Sequence, residues 1–516
     1  MHSIMNALAV ALILLANCSF AGESQTPPES QTKGERLAVD LTIYNMNLAL
    51  IREERLLTLA AGTSQLIIPD IPATIDGTSL HFLSLTDPAA VRVLEQNYQY
   101  DLVHQAKLLE KYIGKTVQFV RWSEAEKKEF TVNGRLLSTG YYIQPQASYS
   151  PYGQYTGVQM NYFSSGGMIA EIDGKIEINP AGILLLPELP EGLILKPQLK
   201  WLMENKRAGE HRGEISYLAG QLTWSSDYVA LISNNDKSLD LTGWVTITNN
   251  SGTSFHNAGL KLVAGDVNLV RPDQLYNYGY KAARAADESS LQPQFQQTNL
   301  FEFKLYTLQR RTDVMNNETK QVELVSATRI PTKKVFIYDG VADQWRSWIS
   351  NYSYRDQSSL GQQSNTKVGV FVKFRNAENS GLGIPLPKGK VRVYKRDDQG
   401  KEQFIGEDQI DHTPKDEEVK LYLGNAFDLV GERAQKNFVT VVSGHIYDET
   451  FQVKVRNHKD EDVDVEVYEH PWRWSQWEIT KNSDVWEKDD QTTIKFPVKI
   501  PKNSEKVITY TIRYTW

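Results

Sequence analysis

Alternation of apolar and polar residues runs along most of this chain and predicts β-strands far more often than helices. Val453 and Val455 alternate with polar residues, and Val463, Val465 and Val467 repeat the same period of two. Because successive side chains of a strand point to opposite faces, this period is typical of strands with one buried face. Many such strands separated by turn residues predict antiparallel β-sandwiches.

The stretch from Trp244 to Val270 is the most distinctive part of the sequence. Val245 and Ile247 alternate with threonines, and Asn249 to Gly252 supplies residues that favour turns. The pattern therefore predicts strand, turn and strand, as a hairpin or an arch of a sandwich. A cation site is the alternative, and its oxygen-bearing candidates are Asn257, Asp266 and Asn268.

The predicted fold class is mainly β and multidomain. An N-terminal β-rich domain with one helix precedes antiparallel β-sandwich units. The predicted ranges are a signal peptide at 1–21, a disordered tether at 22–36, the N-terminal domain at 37–208, a first sandwich unit at 209–366 with an insertion at 271–299, and a C-terminal sandwich unit at 367–516.

One helix is predicted within the N-terminal domain, from residue 101 to 113. Asp101 suits the N-cap and Gly114 suits the position that follows a helix. Leu109 belongs to the apolar face of this segment. Further along, strand patterns on both sides of Asn133–Gly134 predict a hairpin turn there.

The first residues resemble a secretory signal peptide. Ala7 to Leu15 is an uninterrupted apolar run that is too short to span a bilayer, and small residues at Ser19 and Ala21 suit cleavage. Leu15 to Cys18 also resembles a lipobox, so a lipid anchor at Cys18 is the alternative to a free form. We expect export to the periplasm or beyond it, without a transmembrane span.

Composition excludes several classes of function. The net charge of −7, with both signs interspersed, leaves no basic footprint for nucleic acid. Cys18 is the single cysteine, so the exported chain is predicted to have no disulfide and no thiol chemistry. The sequence has no P-loop, no GxSxG and no HExxH pattern, so we predict no cofactor, no metal and no assigned catalytic residue.

Aromatic clusters are the candidate binding surfaces. One lies in the sequence HPWRWSQW, and the other lies in a segment rich in turn residues from 144 to 167. Exposed aromatic rings stack on sugar rings or anchor protein interfaces, whereas buried ones fill a sandwich edge, and the sequence leaves both readings open. The candidate residues are Trp472, Arg473, Trp474, Trp477, Tyr149, Tyr152 and Tyr155.

Carboxylates provide an alternative chemistry. A hydrolase would use residues such as Asp266, Asp408 and Asp411, and His412 lies in the same acidic run as the last two. Two carboxyl groups about 5–10 Å apart across a cleft would favour the enzyme. The alternative for the acidic run is a charged turn between two strands.

Several separated blocks resemble one family in order along the chain. They include NNSGTSFHNAGLKLVAGDVN, LGIPLPKGKVRVY and the closing YTIRYTW, and they lie between Glu214 and Trp516. These blocks are similar to the exported bacterial proteins grouped as domain of unknown function family 4139. The resemblance implies an exported β-rich protein and carries no catalytic residues.

These observations give one leading expectation and two alternatives. We expect an exported cell-envelope protein that is not an enzyme and that serves as a binding or scaffold protein for a protein or an envelope polymer. The alternatives are an envelope hydrolase that uses carboxylates and a purely structural component of the envelope.

Overall fold

The computed structural model of the protein describes residues 34–100, 102–149, 155–164, 167–190, 192–265, 267, 295–341, 347, 358 and 364–516, with the backbone alone for 142–149 and 155–164. Several predictions fall outside these residues. They concern the signal peptide at 1–21, Cys18, Asp101, Tyr152, Asp266 and Asn268.

The first 220 residues contain a helix and fourteen strands among those described. They are β1 (Glu35–Tyr44), β2 (Leu48–Leu59), β3 (Gly62–Pro69), β4 (His81–Ser84), β5 (Val91–Gln99), α1 (Gln105–Glu110), β6 (Thr116–Ser123), β7 (Lys128–Ser138), β8 (Tyr141–Tyr149), β9 (Tyr155–Ser164), β10 (Ile169–Ile172), β11 (Lys175–Ile178), β12 (Ile183–Leu185), β13 (Gln198–Asn205) and β14 (Gly209–Gly220).

Seventeen further strands are described in the rest of the chain. They are β15 (Leu222–Ile232), β16 (Ser238–Asn249), β17 (Phe255–Ala264), β18 (Phe295–Leu300), β19 (Phe303–Leu308), β20 (Thr312–Val314), β21 (Glu318–Asp339), β22 (Lys367–Arg375), β23 (Gly389–Arg396), β24 (Glu402–Ile410), β25 (Glu418–Val442), β26 (Ile446–Asn457), β27 (Val463–Glu469), β28 (Trp477–Asn482), β29 (Glu487–Lys488), β30 (Ile494–Ile500) and β31 (Ser504–Thr515). The predicted mainly β fold is therefore confirmed.

The chain forms two compact units. The first contains Glu54–Ile71 and Phe82–Glu214 together with the described residues up to Leu37, and the second contains Ala38–Glu53, Pro72–His81 and Ile215–Trp516. The second unit thus includes segments from before residue 82, whereas the predicted domain ranges assumed contiguous stretches of sequence.

Two segments that were predicted to be flexible have their C-terminal residues in strands. β1 begins at Glu35, so the last two residues of the predicted tether at 22–36 belong to a strand. The predicted insertion at 271–299 overlaps β18, which pairs with β19 and buries Phe295. Both predictions were therefore too long at their C-terminal ends, because strand pairing includes residues whose local sequence is polar.

The first unit contains a five-stranded antiparallel sheet in the order β11-β10-β7-β6-β12. Helix α1 contributes Leu109 to the core of this sheet, where it joins Phe119 and Leu136. The helix is shorter than the predicted 101–113. Leu102 forms a β-bridge with Ile194, so the chain just before the helix is extended instead of helical.

The predicted turn at Asn133–Gly134 is wrong. These residues lie inside β7, and the turn before that strand occupies residues 124–127. Gly134 pairs with Val117 and Ile172, and a Cβ on Gly134 would lie 2.7 Å from Cγ1 of Ile172. The glycine therefore permits close packing in the core of the sheet. In the sequence, a glycine with this role looks the same as a turn glycine.

The second unit contains the described part of the stretch from Trp244 to Val270 as an arch. β16 pairs with β15 and β21, whereas β17 pairs with β1, β19 and β20. Asn249 is fully buried at the arch, where its amide nitrogen donates to the carbonyls of Thr253 at 2.9 Å and Val314 at 3.1 Å. Its Oδ1 accepts from the N–H of Ser251 at 3.0 Å. The turn chemistry predicted from the sequence thus also links separate strands.

Two long strands join two hydrophobic cores within this unit. β21 pairs first with β16 and then with β22, and β25 pairs first with β22 and then with β26. The first core lies among β15, β16, β22 and β23, and the second lies among β26, β27, β30 and β31. A strand shared in this way carries apolar residues for both cores at alternate positions.

Candidate functional site

The first four residues of the HPWRWSQW segment are buried. Trp472 is 2% exposed and Arg473 is 1% exposed. The guanidinium of Arg473 donates from Nε and Nη2 to the two carboxylate oxygens of Glu449, each at 2.9 Å. The sequence left the exposed and the buried alternatives open. The structure shows the buried one at Trp472 and Arg473, which corrects their assignment to a binding surface.

A second buried ion pair lies in the same core. Nε of Arg433 donates to both oxygens of Glu469 at 3.0 and 2.9 Å, and the hydroxyl of Tyr510 donates to Glu469 at 2.5 Å. Burial and the charge of Glu469 raise the pKa of Tyr510 well above its usual value, so the phenol keeps its proton. We call Arg433, Glu449, Glu469, Arg473 and Tyr510 the buried charge network.

Trp474 and Trp477 are half-buried against the second core. The ring of Trp474 lies 6.1 Å from that of Trp516, and the ring of Trp477 lies 6.3 Å from that of Trp486. The indole N–H of Trp477 donates to the carbonyl of Gln491 at 3.2 Å. These contacts match the edge-filling reading, and binding by the two indoles remains a prediction.

The segment from 144 to 167, which is rich in turn residues, contains β9 and most of β8. β8 and β9 pair with each other and with no other strand that the structure describes. Tyr149 lies opposite Tyr155 in this ribbon, and Tyr152 lies outside the described residues. A binding role for the three tyrosines remains a prediction, because the structure describes none of their side chains.

The acidic run holds the backbone in place. Oδ2 of Asp408 accepts from the N–H of Tyr422 at 2.7 Å, which fastens β24 to β25. Nδ1 of His412 accepts from the N–H of Lys388 at 3.1 Å, and the main-chain carbonyl of Asp411 accepts from the hydroxyl of Thr413. These contacts favour the charged turn among the alternatives.

Of the three proposed cation ligands, Asn257 is the one that lies among the described residues. The N–H of Asn257 donates to Asp313 at 2.7 Å, and its carbonyl accepts from Arg311 at 2.6 Å. Asp266 and Asn268 lie outside the described residues. Among the residues that the structure does describe, no group of three or more His, Cys, Asp or Glu side chains could hold a metal ion.

A different surface is assembled by β22 and β25. In this antiparallel pair, Phe371 lies opposite Tyr422 and Lys373 lies opposite Lys420. Strand β27 adds two further side chains next to them. We call the set the aromatic–lysine face, and its members are Phe371, Lys373, Lys420, Tyr422, Glu466 and Tyr468.

Two rings of this face flank the ammonium group of Lys420. Nζ of Lys420 lies 4.6 Å from the ring centroid of Phe371 and 5.2 Å from that of Tyr468. The rings of Phe371 and Tyr422 lie 5.2 Å apart, and Tyr422 is 39% exposed. Such distances are typical of cation–π contacts.

The two lysines of the face differ in their partners. Nζ of Lys373 lies 3.4 Å from Oε2 of Glu466, and that oxygen also accepts from the hydroxyl of Tyr468 at 3.2 Å. The ammonium group of Lys420 makes no hydrogen bond or salt bridge with any residue that the structure describes, although the charges of Glu466, Asp489 and Glu418 act on it. Burial beside the rings, and then the charge of Lys373, lower the pKa of Lys420 below its usual value.

The aromatic–lysine face is not recognisable in the sequence, for an identifiable reason. Phe371 and Lys373 are two residues apart, as are Lys420 and Tyr422, so each pair shares one side of its strand. The sequence does not state that β22 and β25 are neighbours. Once the pairing is known, the two short patterns combine into a single surface.

No family model matches this sequence, and no curated protein matches it either. The resemblance to domain of unknown function family 4139 therefore remains a prediction. Among the described residues, none of the helices has both the length and the apolar character needed to cross a membrane.

Proposed function

We propose that the protein is an exported cell-envelope protein that binds an envelope polymer through the aromatic–lysine face and catalyses no reaction. The observation that supports this proposal most directly is the pair of adjacent rings, Phe371 and Tyr422, beside the ammonium of Lys420.

Aromatic rings on the surface of a sheet suit the binding of a polymer. The apolar faces of sugar rings stack on such side chains, and nearby polar groups supply orientation. Two hydrogen bonds hold Tyr422 in place. The carboxylate of Asp408 accepts from its N–H, and its hydroxyl donates to Asn425 at 3.1 Å. Binding therefore requires little ordering of this surface.

Asp408, one of the carboxylates considered for a hydrolase, offers no comparable support. Both oxygens of Asp408 accept main-chain N–H groups, from Gln409 and Tyr422. A general acid or base must reach the proton that it transfers, and a carboxylate engaged in this way is occupied by backbone contacts. We therefore propose binding as the function and no second activity.

Co-sedimentation with purified envelope polysaccharide, including peptidoglycan sacculi, tests the proposal. We expect the wild-type protein to sediment with the polymer and the double variant Phe371→Ala/Tyr422→Ala to remain in solution. Loss of two stacking rings removes about 1–3 kcal/mol of contact.

Phe404→Ala is the matched control. Phe404 is 55% exposed and contacts the ring of Tyr394, so its removal deletes an exposed aromatic pair from another part of the same unit. Sedimentation of the double variant to the wild-type extent, or failure of the wild type to bind any envelope polymer, would contradict the proposal. Circular dichroism of each variant checks that the fold is retained.

A further inference from the structure

We infer that the C-terminal part of β25 is a docking edge for a second copy of this chain. Residues 436–442, which we call the docking edge, would pair with the same residues of the other copy as antiparallel strands, about a two-fold axis near Val439. The inference is independent of the aromatic–lysine face, because that face uses the N-terminal part of β25.

The backbone of the docking edge is paired on one side. The pairing of β25 with β22 ends at Val430, opposite Lys367, whereas its pairing with β26 continues as far as Val442, opposite Ile446. Among the strands that the structure describes, β26 alone pairs with residues 436–442. The N–H and C=O groups on the other side therefore form a template for an added strand.

Contacts on the inner face hold the docking edge in place. The ring of Phe438 lies 5.5 Å from the ring of Tyr447 and 4.9 Å from the guanidinium carbon of Arg473. Arg473 is fixed in turn by its buried ion pair with Glu449. A strand that is already ordered loses little conformational freedom when another strand pairs with it.

The docking edge differs in charge from the other edges of its sheet. β24 and β28 lie at the two ends of the strand order. Both carry charged side chains, which are Glu402, Glu407 and Asp408 in β24 and Glu478 and Lys481 in β28. Charges on an edge strand oppose pairing with other chains. The sequence NFVTVV from Asn437 to Val442 contains no charge and no proline, so the docking edge lacks this protection.

The side chains of the docking edge favour coverage by a second strand. Val439, Val441 and Val442 are each 42–45% exposed. Valine and other β-branched residues pack well against their cross-strand neighbours. A paired strand would also remove part of this apolar surface from water, which is favourable.

The sequence of the docking edge is complementary to a second copy of itself. In an antiparallel pair centred on Val439, each Val439 lies opposite the same residue of the other copy, and Thr440 lies opposite Phe438. Lys436 lies opposite Val442, so the two lysines are about 20 Å apart, which is beyond the screening length of about 10 Å. No like charges of the two edges meet. Because both copies use the same edge, the contact closes as a dimer and does not propagate.

The size of the contact limits its strength. The register between β25 and β26 is regular from Asn437 to Thr440 and shifts on either side. A pair of strands this short buries less than the about 800 Å² per partner that is typical of stable complexes. We therefore expect a dimer that dissociates, with a dissociation constant on the order of 10 μM to 1 mM.

A charge exchange at the two-fold axis tests the inference. Sedimentation equilibrium of the wild-type protein from about 1 μM to 1 mM should show a monomer and a dimer. Val439→Lys should raise the dissociation constant by at least about tenfold, because it places two like charges directly opposite each other. Val439→Glu should do the same. An equimolar mixture of the two variants should recover the dimer, since opposite charges then face each other across the axis.

Val485→Lys is the matched control. Val485 is 78% exposed and lies between β28 and β29, so the same substitution there should leave dimerisation unchanged. Recovery of the dimer in the mixture also shows that both Val439 variants are folded, and circular dichroism checks each of them separately.

Four results would overturn the inference. They are a wild-type protein that stays monomeric over the whole range, species that grow beyond the dimer with concentration, a dimer that Val439→Lys leaves intact, and folded variants whose mixture does not recover the dimer. The second result would indicate a head-to-tail contact, and the third would place the contact on another surface.

Discussion

Two regions of the second unit place a cation over aromatic rings, and they use it in opposite ways. Arg473 lies 4.4 Å from the ring of Trp472 and 4.9 Å from that of Phe438, and it is fully paired with Glu449. Lys420 lies at similar distances from two rings, and its ammonium group makes no salt bridge with a described residue.

The difference between these regions follows from burial. A charge without solvent must be paired inside the protein, because the cost of desolvation is otherwise too high. At the surface, water can satisfy an ammonium group until a ligand replaces it. A buried cation among aromatic residues therefore needs a carboxylate partner, whereas an exposed one can be satisfied by water.

The largest expected effect comes from breaking the buried pair. Arg473→Met leaves Glu449 buried without its cation, and we expect the free energy of unfolding to fall by about 3–5 kcal/mol. Denaturation in guanidinium chloride measures the change. The double variant Arg473→Met/Glu449→Leu should recover most of the loss, because it removes both buried charges.

Arg513 provides the matched control for this prediction. Its guanidinium also meets a carboxylate with two hydrogen bonds, to Asp448 at 2.7 and 2.8 Å, but the pair is partly exposed. Arg513→Met should cost less than about 1 kcal/mol. Equal losses for Arg473→Met and Arg513→Met would show that burial is not the deciding difference.

A smaller effect is expected from the phenol of the buried charge network. Tyr510→Phe removes the donor that lies 2.5 Å from Glu469 and should lower the free energy of unfolding by about 1–3 kcal/mol. Tyr422→Phe removes a hydroxyl that bonds to Asn425 at the surface, and its effect should stay within about 0.5 kcal/mol. Similar effects of the two changes in urea denaturation would contradict the comparison.

The smallest expected effect is the change in thermal stability when Lys420 is replaced by methionine. The pKa of Lys420 in the folded protein lies below the value of 10.5 that an unperturbed lysine has. Below the folded pKa, both states bind the proton and the folded state carries the cost of burying the charge. Lys420→Met should therefore raise the midpoint of thermal unfolding slightly at neutral pH.

The difference in stability between Lys420→Met and the wild type should depend on pH. As pH rises through the folded pKa towards 10.5, the folded wild type loses the proton before the unfolded chain does, so its stability increases relative to the variant. The advantage of Lys420→Met should shrink across this window. An advantage that stays constant or grows with pH in paired thermal melts would argue against a lowered pKa.

Local sequence patterns determined the strands of this protein. The alternation at Val453 and Val455 belongs to β26, and that at Val463, Val465 and Val467 belongs to β27. A period of two is a local property, so it can be recognised without knowledge of neighbours. The turn residues at Asn249 were recognised for the same reason.

Tertiary neighbours decided the features on which the sequence was ambiguous. Asn133–Gly134 has the composition of a turn, yet Ile172 and Val117 pack against Gly134 within a sheet. The bridge between Leu102 and Ile194 shortened the helix in the same way. Both outcomes depend on contacts between residues far apart in sequence, and local propensity does not contain that information.

The candidate sites show the same division. The sequence alone identified Trp472 and Arg473 as an unusual group of side chains, but only the surrounding strands decided that they are buried and paired with Glu449. The aromatic–lysine face exists because β22 pairs with β25 and brings Phe371 next to Tyr422. Composition and periodicity are local and can be read along the chain, whereas burial and strand pairing are set by long-range contacts that form only when the chain folds.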